Sequence, residues 1–228
     1  MLSIAESRAP VTRDRAVAVA VELADAAGLE ALSMRKVAAE LGIEAMSLYY
    51  HVKNKSDLLD GMLDSVYSEF TLPRPGDEWR EAMRARASTT RAVLTRHAWA
   101  ISISARSSPG PATLRHLDAV IGCLRAAGFS MALTGHAMSI LDSYVQGFAQ
   151  QELSLPLDPS GDIGAATESI IAQQQQMAEA FPHLAAMAAE LILQPGYAYG
   201  NEFDFGLTLI LDGLERQLGR RGSIPAAR

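Results

Sequence analysis

Residues 32–59 read LSMRKVAAELGIEAMSLYYHVKNKSDLL, and this stretch decides the fold. Ser33 is a helix-capping residue, and Val37, Ala38 and Leu41 behind it recur at the spacing of one buried helix face that Gly42 ends. Only Ile43 to Ala45 separate that helix from a second short one expected over Met46 to Val52. Two short helices joined by a glycine-containing turn of three or four residues form a helix-turn-helix, whose second helix enters the major groove of DNA. Gly42 suits the positive φ of so tight a turn, Ala38 allows close approach, and Ile43, Leu48 and Val52 can tie the second helix to its neighbours. A generic helical hairpin shares these features.

Working outward, Thr12 can cap a preceding helix with Val17, Ala20, Val21, Ala24 and Ala27 inward, ended by Gly28. Asn54 or Ser56 caps a longer following helix that buries Leu58, Leu59, Met62, Leu63, Val66 and Phe70. The run Leu72-Pro-Arg-Pro-Gly76 breaks it and marks a seam. Beyond the seam, helical spacing predicts helices over 77–96, 98–106, 111–127, 131–153, 162–180, 182–193 and 202–218, separated by Pro/Gly breakers. The expected fold class is all-α. Its expected divisions are a flexible start (1–11), a helix-turn-helix domain (12–72), a larger helical bundle (73–220) and a flexible tail (221–228). Gln173 to Gln176 reads as an exposed helix face rather than a functional tract.

The chain has 228 residues, 49% of them hydrophobic, enough to bury a substantial core. A single cysteine, Cys123, permits no intrachain disulfide and reads as a core thiol. The apolar run Ala16 to Val21 is too short for a signal peptide, and Leu184 to Leu193 is interrupted and too short for a span, so we expect a cytoplasmic protein without a membrane partner. Net charge is −6, but residues 1–55 are balanced at seven Lys/Arg and seven Asp/Glu, and all three lysines, Lys36, Lys53 and Lys55, lie there. Between Ala45 and Ser56 there is no acid, only His51, Lys53 and Lys55. Such a stretch suits a phosphate-facing surface, or simply a solvated helix end.

Chemistry beyond this is sparse. His97, His116, His136 and His183 make no zinc-type spacing, and no nucleophile elbow, phosphate loop or dinucleotide glycine signature is present. We expect no catalytic residues, no metal and no cofactor.

The segment 32–59, above all Leu48-Tyr-Tyr-His-Val-Lys-Asn-Lys55 followed by Leu58-Leu59, resembles the DNA-binding domain of the TetR family of bacterial repressors. Residues 203–218, FDFGLTLILDGLERQL, look like the last helix of a tetracycline-repressor-type C-terminal domain, and Gly128-Phe-Ser130 fits the start of its long dimerisation helix. The resemblance implies that Ser33 and Arg35 meet a phosphate and the edge of the operator. It likewise gives Ala45, Met46, Ser47, Tyr49 and His51 groove-facing positions, and Tyr50, Lys53 and Lys55 backbone contacts. These hydroxyl, phenol, imidazole and ammonium groups are suitable donors to phosphates and base edges, and the apolar Ala45 and Met46 suit a thymine methyl. Packing within the small domain is the other reading of either tyrosine. Tetracycline repressors hold a magnesium-chelated drug through a histidine 24 residues before the Gly-Phe pair, which falls here at Ser104. A supporting glutamate falls at Gln151, beside Glu152. Neither Ser nor Gln is the hard, oriented oxygen donor magnesium needs, so tetracycline and magnesium are not carried over.

A ligand cavity is expected between helices of the larger domain, with Trp99, Ile103, Ser104, Ser107, His116, Val120 and Asp142 placed for it by position, the effector being apolar or aromatic. A homodimer is expected to pack the helices at 131–153 and 202–218 of each subunit, through Leu141, Tyr144, Val145 and Phe148 on the first and Phe203, Leu207, Ile210, Leu211, Leu214 and Leu218 on the second. Phe205 and Leu209 lie off that stripe, leaving more apolar surface than one neighbour covers. The expected function is a repressor that binds a palindromic operator as a homodimer and is released by a small molecule. An all-α enzyme, or a helical ligand-binding or scaffold protein without DNA binding, are the alternatives.

Overall fold

A computed structural model describes residues 10–104, 108–155 and 180–221, all of whose regular elements are helical. The helix expected over 162–180 and the pocket residue Ser107 lie outside the described residues. Helix α1 (Arg13–Ala27) starts where Thr12 accepts a hydrogen bond from the Arg15 amide at 3.2 Å, as a capping threonine should. Helix α2 (Met34–Glu40) begins at Ser33, whose hydroxyl accepts from the Lys36 amide at 3.3 Å. Gly42 then takes φ +69°, the left-handed conformation the turn requires. Helix α3 (Ala45–Leu48) is shorter than the seven residues expected. From Tyr49 to His51 the chain tightens to i→i+3 bonding, which brings Val52 inward and lets Asn54 cap the next helix by accepting from Asp57 N.

Helix α4 (Lys55–Tyr67) connects the small domain to the rest, because it packs on α1 along one side and on the larger domain along the other. Its crossing with α1 is close at Gly61, where an added Cβ would sit 2.7 Å from Val17 Cγ2. Gly61→Ala should therefore force the two helices apart and cost about 1–3 kcal/mol despite alanine's better helix propensity, measurable as a lower urea midpoint. A stability gain would show that the crossing yields freely.

The larger domain is built from α5 (Trp79–Arg96), α6 (Trp99–Ile103), α7 (Pro111–Ala126), α8 (Met131–Ser154), α9 (Pro182–Met187, continued by a π-helical turn to Ile192) and α10 (Glu202–Arg221). α5 lies against α7 and α8, and α10 against α8. Tyr144, Phe148, Tyr199 and Phe203 form one aromatic cluster, and the Arg91 guanidinium sits 5.0 Å over Phe148 and 4.8 Å over Phe203. Most of the stripe expected at the dimer surface lies inside the protomer. Phe203, Leu207, Leu211 and Leu214, with Leu141, Val145 and Phe148 opposite, are buried inside their own protomer, because the seam between α8 and α10 already satisfies the stripe. Of the ten residues expected at the interface, only Tyr144, Ile210 and Leu218 keep partial exposure.

Candidate DNA-reading surface and ligand cavity

The small domain buries Leu48 and Val52 and thereby turns the other side of the reading segment to solvent. Met46 is 75% exposed and Tyr50 90%, and Tyr49, His51, Lys53 and Lys55 are exposed beside them. Ala45 and Ser47 are half-buried, while Ser33 and Arg35 are exposed at the start of α2. Neither tyrosine packs on another ring among the described residues, which weakens the reading of either as a core residue. Lys55 Nζ donates to Leu32 O at 3.0 Å, tying α4 to the loop before α2 and leaving two of its N–H groups for a phosphate. Asp57 accepts from Arg13 Nη2 and from Lys53 N, each at 2.9 Å, and the Arg13 bond foremost holds its carboxyl below the usual range.

A cavity lies where α4, α5, α6 and α8 meet, lined by Leu63, Val66, Tyr67 and Phe70 from α4 and its end, Arg86, Thr90 and Leu94 from α5, Ala100, Ile101 and Ser104 from α6, and Asp142, Val145 and Gln146 from α8. Its free volume is only about 30 Å³, room for roughly one water, against the ~300 Å³ or more of sites that hold organic ligands. Burial pushes the Tyr67 phenol up, so it is a neutral hydroxyl there. Of the expected cavity residues, Ser104 and Asp142 are on this wall, His116 lies directly behind it, and Ile103 and Val120 are not in the lining. Trp99 is elsewhere: its indole donates to Asp25 Oδ1 at 2.6 Å, beside His97 Nδ1 at 2.7 Å on the same oxygen, joining α6 to the end of α1. A capped polar handle on a buried ring explains that placement. Tyr67, Phe70, Thr90, Ile101 and Gln146 were not foreseen. Neither was Arg86, whose signal was a charged residue on the stripe Ala82, Met83, Ala87, Thr90, where an apolar one belongs.

Two carboxylates on α4 complete the geometry. Asp64 accepts from Ala112 N (3.2 Å), Thr113 N (2.8 Å) and Thr113 Oγ1 (2.9 Å) at the start of α7, and Asp60 accepts from Ser108 N at 3.0 Å. The N-terminal end of a helix is a natural seat for a carboxylate, so α4 is hitched to α7.

Residues 16–62 match the sequence profile of bacterial regulatory proteins of the tetR family, and residues 72–218 that of the tetracyclin repressor-like C-terminal domain. The chain belongs to the TetR family. Among relatives of TetR type, the HTH-type transcriptional repressor DrrR1 of Streptomyces coeruleorubidus is 36% identical over 94% of this chain and 82% of its own. Apo ActR from Streptomyces coelicolor superposes with a TM-score of 0.76 at 29% identity, covering 93% of this chain and 99% of ActR. ActR in complex with actinorhodin gives 0.74 at 30% identity over 92% of this chain and all of ActR. As a TetR-family member the protein is a homodimeric, ligand-responsive transcriptional repressor that binds operator DNA. Among the described residues no helix is long and apolar enough to cross a membrane.

The magnesium-drug site of the tetracycline repressors does not fit this TetR chain. Ser104 Oγ donates to Ile101 O at 3.0 Å, Gln151 offers a neutral amide, and the adjacent Glu152 is held by Arg91, Nε to Oε2 at 2.8 Å. The Glu152 carboxylate is thus committed to a guanidinium that itself lies over the aromatic cluster.

Proposed function

We propose that this repressor is released from its operator by an organic effector that needs no divalent metal and enters the cavity between α4, α5, α6 and α8. The observation that carries this reading is the position of the cavity between two hitches of the DNA-reading module: Trp99 and His97 on Asp25 of α1, and Asp60 and Asp64 of α4 on the start of α7. A ligand far larger than the ~30 Å³ now free must part α4 from α6, and either movement is passed to the reading helix. A dimer reads two half-sites only when its helices lie about one DNA turn, roughly 34–36 Å, apart, so a modest rotation of each module spoils both contacts.

In this reading the module spans residues 12–72 and the ligand- and dimer-forming part 73–220. The protein works in the cytoplasm, and it binds its effector without turning it over. Ser33, Arg35, Tyr50, Lys53 and Lys55 position the backbone, and Ala45, Met46, Ser47, Tyr49 and His51 face the groove. The operator is obtained by selecting bound fragments from the source genome. Lys53→Ala should then lower affinity for all sequences and flatten the salt slope by about one unit, whereas changes at Ser47 or Tyr49 should cost about 1–3 kcal/mol and alter base preference. A Lys53→Ala slope equal to the parent's removes that residue from the interface. By linkage, operator must weaken effector by the same factor that effector weakens operator, about 5- to 150-fold, with or without a chelator.

A further inference from the structure

Arg86 is the charge that needs explaining. It projects from the middle of α5, it is buried, and a guanidinium taken out of water is costly unless its N–H groups are paired. Its Nε donates to His116 Nε2 at 2.9 Å, and its Nη2 to Asp142 Oδ1 at 2.5 Å. His116 is wholly buried and held neutral, so it accepts a bond without cancelling the charge. Only Asp142 does that, and its side chain is 35% exposed at the cavity rim, where a carboxylate returns to water cheaply. Those two bonds run through Nε and Nη2, so the charge rests on one carboxylate that water can reclaim. One turn further along the same face, Thr90 Oγ1 is buried on the cavity wall and has no hydrogen-bond partner among the described residues. Facing them are Leu63, Val66, Ile101 and Val145, with the rings of Tyr67 and Phe70 at one side.

We propose that the effector is an aromatic acid, a flat carbon skeleton bearing an ionised oxygen that pairs with Arg86, displaces Asp142 and receives a second hydrogen bond from Thr90. This rests on the reading of the cavity as the effector site. An anionic oxygen is the group that can take over a buried guanidinium from a half-exposed carboxylate, and a neutral amide of the same shape recovers only part of that interaction. The apolar and aromatic walls supply the remaining affinity and exclude the water that would screen the pair.

The test uses the full-length dimer with two isosteric compounds, anthraquinone-2-carboxylate and anthraquinone-2-carboxamide, at neutral pH, with binding followed by calorimetry. The carboxylate should bind at least tenfold more tightly. Arg86→Gln should abolish that preference, and Asp142→Asn should tighten the carboxylate severalfold while leaving the amide unchanged, an effect in the opposite direction to any loss of structure. Ile101→Trp, which fills the cavity, should block both. If acid and amide bind equally in the parent and both are blocked by Ile101→Trp, the acid proposal is overturned and the cavity reading stands. Should Arg86→Gln fail to fold, the Asp142→Asn variant decides, and no gain for the carboxylate overturns the proposal. Binding of neither compound, or binding indifferent to Ile101→Trp, overturns both readings.

Discussion

Leu209→Glu is expected to give a folded protomer that no longer dimerises and binds operator at least a hundredfold more weakly. The expectation follows from what the fold leaves outside. Once α8 and α10 have sealed their common seam, Phe205 remains 67% exposed and Leu209 54%, one turn apart on the outer side of α10, and Ile140 is exposed on α8. In a homodimer such apolar surface belongs against a second copy. Two-fold symmetry doubles the effect of any change there, since each substitution appears twice in one interface, and a buried, unpaired carboxylate is costly each time. Operator affinity falls with it, because a single protomer reads one half-site. Two residues further on, Leu211→Glu should behave differently: Leu211 has no exposed surface, so a charge there should prevent folding. Sedimentation, circular dichroism and operator titration separate the two outcomes. A Leu209→Glu protein that still sediments as a dimer places the interface elsewhere.

The second large effect concerns acid. His116 sits wholly buried between Arg86 and the edges of Tyr67 and Phe70, and burial first, then the neighbouring guanidinium, lower its pKa from 6.5 to about 4. The folded chain refuses the proton that the unfolded chain accepts. Stability is therefore fully present above pH 6.5 and falls as pH drops towards about 4, by about 3 kcal/mol in all, with no further loss from this group below that. The window belongs to a histidine. Asp57, whose carboxyl is held below 3.8, loses its contribution only at still lower pH. Urea midpoints measured between pH 7 and 4 should fall steeply in the parent and much less in His116→Gln. An equally steep fall in the variant would clear His116 of responsibility.

Most of the fold was legible because helices declare themselves locally. Thr12, Ser33, Asn54 and Ser130 cap the helices whose starts they were expected to mark or fit, and Gly42 takes the positive φ its turn demands. The reading segment was legible for the same reason: one turn of helix with Leu48 inward leaves Met46 and Tyr49 outward, whatever the rest of the chain does. Its exact length was not, since whether Tyr49 to His51 continue as α-helix depends on where Asn54 must sit to start α4.

What lies between elements was decided by tertiary structure alone. A stripe such as Phe203, Leu207, Leu211 and Leu214 says that a helix face is buried, but not whether its own protomer or a second one buries it; the packing of α10 on α8 assigned it to the protomer and left Phe205 and Leu209 outside. Trp99 shows the same limit, because its bond to Asp25 spans 74 residues and no local spacing foretells it. Arg86, His116 and Asp142 come from three different helices, and only packing joins them in one hydrogen-bonded group beside the cavity. The sequence by itself determined the helices, their caps and the outward face of the reading helix, since those follow from bonding and burial within a few residues. Which apolar face meets which, and which charges meet at all, required the tertiary structure, because those contacts join residues that no helical period relates.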